Sequence, residues 1–494
     1  MSVHDALRAP AAVTEPGPVR RPGLILAFLC LAGFMTFLDV SIVNVALPTI
    51  EHELGISQTT LEYVVTTYGM VLGGFLLLAG RLADTFGRRR MLRLGLVLFA
   101  LASLVAGLGH DAWELIAARG AQGLGAAFIA TAALALLSGN FAEGAERNRA
   151  LGAWGALSGL AAVVGVTLGG VLTDGPGWRW IFFINVPIGL VGALLAPRVV
   201  GESRAAGRGR GFDLAGAVSL TAALVLLIFT LGQTVSDGEL PYARIYGGAA
   251  LVVLLLAVFV VVERRTADPL IPFSVFRRKS LRAANVIAVL LLGTCVTLFF
   301  FASLFLQQVL DYSAVRTGFA YVPLAVLTAV GAGVASQLVT KVAAKPVLLV
   351  GLALATAGML LLWRVPADAS YLTDVLPAFV LMGLGLGASF VPVQVSAFAG
   401  STEQESGLAA GLINTAQEVG GALGLAVAAT WAFRRVAELT ERAHGVPELV
   451  LKARTAVFHD AFLVGGVFAG AALLVTLVLL PFTKATGEPP VPRG

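Results

Sequence analysis

Long apolar runs alternate with short polar segments along almost the whole of this chain. Fourteen of these runs come close to the ~20 residues with which a helix crosses the hydrocarbon core of a bilayer. They lie near residues 24–47, 61–79, 91–109, 113–138, 150–173, 180–200, 212–233, 243–262, 281–310, 315–340, 346–363, 371–398, 407–431 and 458–482. Because a backbone inside lipid has to satisfy its own hydrogen bonds, the pattern predicts an all-α polytopic membrane protein with 14 transmembrane helices.

The composition supports membrane insertion and argues against other classes of protein. Charged residues make up 13% of the 494 residues, against about 25% in soluble proteins. Cys30 and Cys295 both lie inside apolar runs, so neither a disulfide framework nor a metal site is predicted. The sequence has no phosphate-binding P-loop, which argues against ATP as an energy source. We therefore expect a protein embedded in the lipid bilayer, with no cofactor, no nucleic-acid partner and no enzyme activity.

The distribution of basic residues predicts the orientation of the chain. With the amino terminus inside, 24 Lys and Arg residues fall in inside segments and nine in outside segments. By the positive-inside rule, both termini are expected in the cytoplasm and the protein in the inner (plasma) membrane. One outside loop is discordant, with the basic residues Arg434, Arg435, Arg442, Lys452 and Arg454. A longer loop can be translocated despite its charge, so the orientation is kept.

An internal repeat divides the chain into two halves. The sequence GLGAAF at 123–128 returns as GLGASF at 385–390, an offset of 262 residues and eight spans. The repeat predicts two pseudo-symmetric six-helix bundles with two extra helices between them (6+2+6), an arrangement typical of secondary transporters. The expected units are a cytoplasmic tail at 1–23, bundles at 24–200 and 281–484, the extra helices with charged connectors at 201–280, and a second tail at 485–494.

Four motifs resemble those of the major facilitator superfamily, in particular its fourteen-span drug:proton antiporter branch. They are LDVSIVNVALP at 38–48, GRLADTFGRRR at 80–90, LIAARGAQGLG at 115–125 and WRWIFFINVPIG at 178–189. Two positions depart from the branch: Val166 follows Gly165 where proline is usual, and Gln417-Glu418 replaces the usual Arg-Gln. The resemblance implies a major facilitator fold and efflux of drugs or antibiotics in exchange for protons.

Asp39 is the first candidate for proton coupling. It lies about fifteen residues into the first span, among apolar neighbours and too deep to reach water easily. Burial opposes ionisation of a carboxyl group, so Asp39 is able to alternate between binding a proton and pairing with a cation. The resemblance links this position to proton coupling. The alternative is a structural carboxylate that caps a neighbouring helix or bonds to Asn44.

Arg119 and Glu418 are the other proton-coupling candidates. Arg119 requires a partner or a water-filled cavity, because an arginine that faces lipid costs at least ~2.5–3.5 kcal/mol. In the family resembled, the corresponding arginine is thought to hold a proton-carrying carboxylate in its charged state, and the alternative is a static brace between helices. Glu418, in span 13, is either a second titrating group or a helix-end residue that reaches water.

The loop at 80–90 contains a predicted gate. Orienting the chain requires only basic residues, so the acidic Asp84 indicates a second role. The resemblance implies that Asp84, with Arg81 and Arg88, engages the end of a neighbouring helix across the bundle interface. Gly80 and Gly87 suit a tight turn and a close approach of backbones. The alternative is a solvated loop whose charges serve topology alone.

Small and polar residues inside other spans are expected to shape the interface and the cavity. Gly165, Gly169 and Gly170 of span 5 predict close packing across the bundle interface and a role in conformational change. The predicted substrate-binding residues are Asn44, Gln122, Gln307, Gln308, Gln394 and Asn414, and Asn185 is expected to line the same cavity. At the offset of 262, Asp39 and Arg119 fall on uncharged residues. The first bundle is therefore expected to handle protons and the second to shape the substrate cavity.

These features together predict a proton-driven exporter of amphipathic organic compounds. It would work as a monomer by alternating access, with protons and a small molecule as its ligands. A proton-coupled importer of a small metabolite on the same fold stays open, slightly favoured by the missing proline in span 5. The absence of metal-ligand spacing and of a Ser-His-Asp constellation argues against a membrane enzyme or sensor.

Overall fold

The structure, a computed structural model, is helical over most of the residues that it describes. It describes residues 21–56, 58–142, 144–203, 213–232, 242–266, 269–366, 368–402, 405–442 and 447–482. The predicted tails at 1–23 and 485–494 lie outside the described residues, apart from residues 21–23.

Sixteen α-helices account for most of the described residues, among which no strand occurs. The first nine are α1 (Pro22–Leu54), α2 (Gln58–Phe86), α3 (Arg88–Leu108), α4 (Ala112–Asn140), α5 (Ala145–Asp174), α6 (Trp180–Phe183), α7 (Asn185–Val199), α8 (Leu214–Gly232) and α9 (Tyr242–Arg265). The other seven are α10 (Lys279–Gln308), α11 (Ala314–Ala320), α12 (Val322–Val342), α13 (Ala344–Trp363), α14 (Leu376–Phe398), α15 (Ser406–Arg442) and α16 (Pro447–Leu479). A 3-10 turn at Phe273–Arg277 precedes α10, and a π-helical turn at Tyr371–Val375 leads into α14.

Twelve helical segments of the described chain are long and apolar enough to cross a membrane. Two further long helices, α5 and α15, are not among them. Each packs against helices of both halves of the molecule, α5 on α1 and α12, and α15 on α10 and α2. A helix surrounded by protein tolerates the glycine and polar residues that a lipid-facing helix does not. The prediction of an all-α polytopic protein is confirmed, and the count of fourteen spans stays a prediction.

The helices form two bundles, each built around one central helix. In the first bundle α1, α2, α3 and α5 contact α4, and in the second α10, α12, α13 and α15 contact α14. The extra helices α8 and α9 pack on each other, and α8 also packs on α2. The central helices are more deeply buried than the extra helix α9. Of their apolar stretches, 78% of α4 and 67% of α14 is buried, against 11% of α9. The exact unit boundaries at 200, 280 and 484 stay predictions.

The packing of α4 and α14 corrects the register of the internal repeat. A Cβ atom on Gly125 would lie 2.8 Å from the Phe99 nitrogen on α3, and one on Gly385 would lie 2.6 Å from the Ala355 nitrogen on α13. Gly125 and Gly385 are therefore equivalent at an offset of 260 residues, and the predicted offset of 262 is wrong. A segment so rich in glycine and alanine matches itself at several offsets, and only the packing distinguishes them. At the corrected register, the counterpart of Arg119 is still uncharged.

Candidate functional site

The deepest charges of the first bundle form an ion pair. Asp39 on α1 and Arg119 on α4 are almost completely buried, with 0% and 1% of their surfaces exposed. Nη1 of Arg119 donates to Oδ2 of Asp39, and its Nε donates to the carbonyl oxygen of Val64 at 3.0 Å. Asn44, the alternative partner of Asp39, is exposed. Removing one member of such a pair costs about 3–5 kcal/mol, because the other charge remains buried without compensation.

Two uncharged side chains bond to this pair, and a third bonds to one of them. Nε2 of Gln122 and Nδ2 of Asn185 on α7 donate to Oδ1 of Asp39 at 3.1 and 3.0 Å. The Gln122 amide also accepts from Arg119 at 2.9 Å and donates to the Ser103 hydroxyl on α3 at 2.8 Å. Gln122 is completely buried in these contacts, so in this structure it belongs to the charge network and not to a substrate-facing surface. Helices α1, α4 and α7 therefore meet at the Asp39 carboxylate, and α3 joins the network through Ser103.

Tyr68 on α2 connects the ion pair to the boundary between the bundles. Its ring lies against the guanidinium of Arg119, with 4.3 Å between Cζ and the ring centroid. Glu418 of α15 is close enough to Tyr68 to interact with it electrostatically, as Asp39 is. The Cβ atom of Glu418 lies 3.3 Å from the position that a Cβ atom would take on Gly73 of α2. Glu418 therefore packs across the interface, twelve residues into α15, and does not lie at the end of that helix.

Sequence reasoning does not single out Tyr68 or Ser103, which complete this network. Both are polar residues in the middle of apolar spans, and both are buried, with 2% and 0% of their surfaces exposed. Their position inside an apolar span is the one feature of the sequence that indicates a role, because a polar side chain at membrane depth requires a partner. Asn185 is expected only as a cavity-lining residue, whereas it bonds directly to Asp39.

Asp84 joins the two bundles. It lies near the end of α2, and its carboxylate oxygens accept the N–H groups of Gly407 and Leu408, both at 3.1 Å. These amides begin α15 and have no carbonyl partner in their own helix, and the helix dipole favours a negative charge there. Arg88 donates to the same carboxylate from Nε at 3.2 Å and from Nη2 at 3.0 Å. With Asp84 and Arg88 each 1% exposed, a solvated loop does not describe this segment.

Two glycines permit this arrangement. A Cβ atom on Gly80 would collide with the carbonyl oxygen of Gly407, so α2 and α15 meet backbone to backbone. Gly87 turns the chain between α2 and α3 with φ of 111°, a region that favours glycine. A Cβ atom on Gly87 would also lie 2.7 Å from Oε1 of Glu202, an oxygen that accepts the N–H of Arg89 at 3.1 Å. The junction between α2 and α3 is therefore held by α15 on one side and by Glu202 on the other.

The segment at 80–90, predicted as a loop, is helical except at Gly87, and its other arginines make structural contacts. Arg81 is buried, with 6% of its surface exposed, and interacts electrostatically with Glu263 of α9. Nη1 of Arg89 donates to the carbonyl oxygen of Val200 at 3.3 Å. Arg81 thus faces the extra helices, while Arg88 faces the gate contact.

A second contact between the bundles lies on the same side of the molecule. Nδ2 of Asn148, at the start of α5, donates to the hydroxyl of Thr340 on α12 at 3.0 Å. One turn further into the bundle, a Cβ atom on Gly152 would lie 2.8 Å from the Cβ atom of Ser336. The α5–α12 pair corresponds to the α15–α2 pair, so the two contacts are related by the pseudo-symmetry of the bundles. Both lie on the side where α1 begins, which we term the amino-terminal side.

The predicted glycine face of span 5 does not pack across the bundle interface. A Cβ atom on Gly165 would lie 3.2 Å from the nitrogen of Ile42, and one on Gly169 would lie 3.1 Å from its carbonyl oxygen. Both glycines therefore pack on α1 inside the first bundle, and no atom lies within 4 Å of a Cβ position on Gly170. The interface contacts of α5 come from other residues, among them Asn148 and Gly152 against α12 and Gly155 against Phe390 of α14.

The predicted substrate-binding residues do not form one cluster with the ion pair. Asn44, Gln307 and Gln308 are exposed, the last two at the end of α10. Gln394 and Asn414 are buried, with 3% and 9% of their surfaces exposed. Oε1 of Gln394 and Nδ2 of Asn414 have no hydrogen-bond partner among the described residues. Buried polar atoms of this kind require a water molecule or a ligand.

An ion pair outside the membrane spans stabilises the start of α15. Arg278 donates to Oε2 of Glu405, the residue before this helix, and to Ser401 Oγ at 3.3 Å. Partial burial alone would raise the pKa of Glu405, but the hydrogen bond from Arg278, that from the Thr402 backbone and the Arg278 charge hold it below its ordinary value. The stabilisation is therefore present above the ordinary glutamate pKa of about 4.3 and is lost as pH falls through the lowered value.

A Glu405→Gln variant should lower the melting temperature at pH 7, and the difference should shrink as the pH falls below 4. Because the pair is partly exposed, the loss at pH 7 should be at most about 1 kcal/mol. Thermal unfolding in detergent across this pH range measures it. An Asp174→Asn variant, which changes an exposed carboxylate at the end of α5, is the control and should show no such convergence. A difference that is constant with pH would contradict the assignment.

This chain has two helical bundles that meet at polar contacts, with an ion pair buried beside their interface. That architecture is typical of membrane transporters. The chain belongs to the Major Facilitator Superfamily, whose family model matches residues 29–425. It is therefore a multi-pass membrane protein that transports small molecules, and it is not an enzyme. The family resemblance and the major facilitator fold are confirmed. In the described residues, no group of three or more His, Cys, Asp or Glu side chains is placed to hold a metal ion.

Characterised relatives are similar over most of their length. The puromycin resistance protein of Streptomyces alboniger is 40% identical over 84% of this chain and 82% of its own. The cephamycin export protein of Amycolatopsis lactamdurans is 38% identical over 82% and 84%. The tetracenomycin C resistance and export protein of Streptomyces glaucescens is 31% identical over 88% and 80%.

Solved structures show the same fold at low sequence identity. The proton:xylose symporter superimposes with a TM-score of 0.66 over 95% of this chain and 98% of its own, at 15% identity. The human organic anion transporter superimposes with a TM-score of 0.61 over 91% and 99%, at 17% identity. At these identities the similarity extends to the fold alone.

Proposed function

We propose that this protein exports amphipathic organic compounds, drugs or antibiotics, across the plasma membrane in exchange for protons. Its relatives support this substrate class, because they are named for resistance to puromycin and for export of cephamycin and tetracenomycin C. Each of them matches more than four-fifths of this chain. The similarity therefore includes both bundles and the interface between them.

The observation that carries proton coupling is the buried pair of Asp39 and Arg119 beside the interface. A proton that binds Asp39 removes the negative charge and leaves Arg119 without its counter-charge. Glu418 of the second bundle is the carboxylate on the other side of Tyr68, and closer approach of the bundles would bring it towards Arg119. Protonation of Asp39 thereby favours a different arrangement of the bundles, which is the coupling that exchange requires.

We place the amino-terminal side, with both termini, in the cytoplasm, as the distribution of basic residues favours. The Asp84 and Asn148 contacts then close the molecule on its cytoplasmic side. Opening that side requires both contacts to break, and both are polar contacts that water can replace. Alternating access of a monomer would consist of breaking and re-forming them. The buried amides of Gln394 and Asn414 are the second bundle's candidates for contact with the substrate.

Transport into inside-out membrane vesicles tests both the direction and the coupling. A compound chosen from susceptibility profiling, with puromycin in the panel, should accumulate in vesicles whose interior is made acidic. A protonophore should abolish the accumulation, and vesicles without the protein should show none. Accumulation only in right-side-out vesicles with an acidic exterior would establish the importer instead. Accumulation that is insensitive to the pH gradient would exclude proton exchange.

A further inference from the structure

Two buried carboxyl groups meet where the extra helices reach the amino-terminal side. Asp213 immediately precedes α8, and Glu263 lies near the end of α9; 8% and 3% of their surfaces are exposed. The two carboxyl groups are close enough to interact directly. A Cβ atom on Gly216 would collide with Oδ2 of Asp213 and would lie 2.8 Å from Oε2 of Glu263, so these oxygens converge beside the Gly216 backbone. This pair lies outside the Asp39 network.

The backbone partners determine which oxygens face each other. Oδ1 of Asp213 accepts the N–H of Gly216 at 2.8 Å, and Oε1 of Glu263 accepts the N–H of Ile271 at 2.5 Å. The remaining oxygens, Oδ2 and Oε2, are completely buried and have no donor among the described residues. An ionised carboxylate only accepts hydrogen bonds, so these two oxygens can bond to each other only when one of the carboxyl groups holds a proton.

We propose that Asp213 and Glu263 share one proton and form a second proton-binding site, outside the interface between the bundles. The proton lies on Oε2 of Glu263, which donates to Oδ2 of Asp213. Asp213 is the better place for the negative charge, because it accepts a backbone N–H at the positive end of α8. Two carboxyl groups that touch each other out of contact with water cannot both ionise at low cost, as other carboxyl pairs that share a site demonstrate.

The site is connected to the gate through Arg81. Arg81 of α2 is the charged group that faces Glu263 among the described residues, and it lies three residues before Asp84. With the shared proton bound, the pair presents one negative charge to Arg81, and without it two. Loss of the proton would therefore strengthen the attraction between α2 and the extra helices. This consequence for gating rests on the proposed function, whereas the proton site itself does not.

Infrared difference spectroscopy of the purified full-length protein in lipid nanodiscs tests the shared proton without substrate or gradient. At neutral pH the wild type should show the carbonyl stretch of one protonated carboxyl group that is lost in Glu263→Gln. The same band should be lost in Asp213→Asn, because the new amide can donate to an ionised Glu263. The exposed Asp174→Asn is the matched control and should keep the band. A band retained in Glu263→Gln, with the protein folded by size-exclusion chromatography, would overturn the proposal.

Thermal unfolding provides a second readout that separates a proton from a bound metal cation. Raising the pH removes the shared proton and leaves two like charges in contact, so the wild-type melting temperature should fall between pH 6 and pH 9. The doubly neutral variant Asp213→Asn, Glu263→Gln keeps an amide hydrogen bond and should lose that pH-dependent fall. It also serves if a single variant fails to fold. A wild-type melting temperature that instead depends on Na⁺ or K⁺ concentration at fixed ionic strength would identify a cation between the carboxylates and overturn the proposal.

Discussion

An Asp39→Asn variant should be made and inserted, yet transport driven by a pH gradient should fall to the level of vesicles without the protein. Asparagine has the shape of aspartate and can still accept a hydrogen bond from Arg119, but it cannot bind and release a proton. Protonation of residue 39, which would release Arg119 from its partner, would therefore no longer occur. Uptake into inside-out vesicles, normalised to the amount of inserted protein, measures the effect.

The same variant leaves the charge of Arg119 buried, which costs about 3–5 kcal/mol when a pair is broken from one side. A double variant, Asp39→Asn with Arg119→Gln, removes both charges and should recover stability without recovering proton-driven transport. Ser103→Ala is the matched control, because it removes a neutral hydrogen bond to Gln122 worth about 1 kcal/mol and leaves both charges in place. It should retain transport. Wild-type exchange by either Asp39 variant would show that the proton binds elsewhere.

The charges of the site are predictable from sequence because the membrane makes them costly. Asp39 and Arg119 stand out as ionisable residues inside apolar spans, and that position alone indicates an internal partner. The same argument does not identify the partner. Which residues meet depends on the rotation and tilt of each helix, and a cost of burial carries no information about either.

Small and uncharged residues show this limit most clearly. Gln122 lies three residues from Arg119 and is predicted to bind substrate, but the facing helices α1 and α3 supply partners that bury it completely. Gly165 and Gly169 have the spacing of a packing face, yet spacing does not say which helix packs on them, and the partner is α1. Asp213 and Glu263 lie 50 residues apart at the ends of two spans, where charges are ordinarily solvated. Only the fold brings them together.

An Asp84→Ala variant should shift the protein about tenfold or more towards states open on the amino-terminal side. The substitution removes the carboxylate that accepts two of the free amides in the first turn of α15, a cap worth about 0.5–2 kcal/mol. It also leaves the buried Arg88 without its carboxylate partner in the closed state, whereas opening admits water to it. Spin labels are attached at Arg90→Cys and Thr402→Cys, with Cys30 and Cys295 replaced by alanine. Pulsed electron paramagnetic resonance then measures the distance between the two labels. The long-distance population should increase.

The pseudo-symmetric contact provides an internal comparison for this result. Thr340→Val removes the neutral hydrogen bond from Asn148, worth about 1 kcal/mol, and should open the same side by a smaller factor, because no buried charge is left without its partner. Thr85→Val is the control, since the Thr85 hydroxyl donates to the Arg81 carbonyl inside α2 at 2.9 Å, and its label distances should match the wild type. One contrary result is that Asp84→Ala leaves the label distances unchanged, and another is that Thr340→Val opens the molecule more than Asp84→Ala does. Either result would show that the Asp84 contact does not hold the bundles more strongly than the Asn148 contact. The closed state would then depend on backbone packing at Gly80 and Gly407, where the helices touch without any side chain between them.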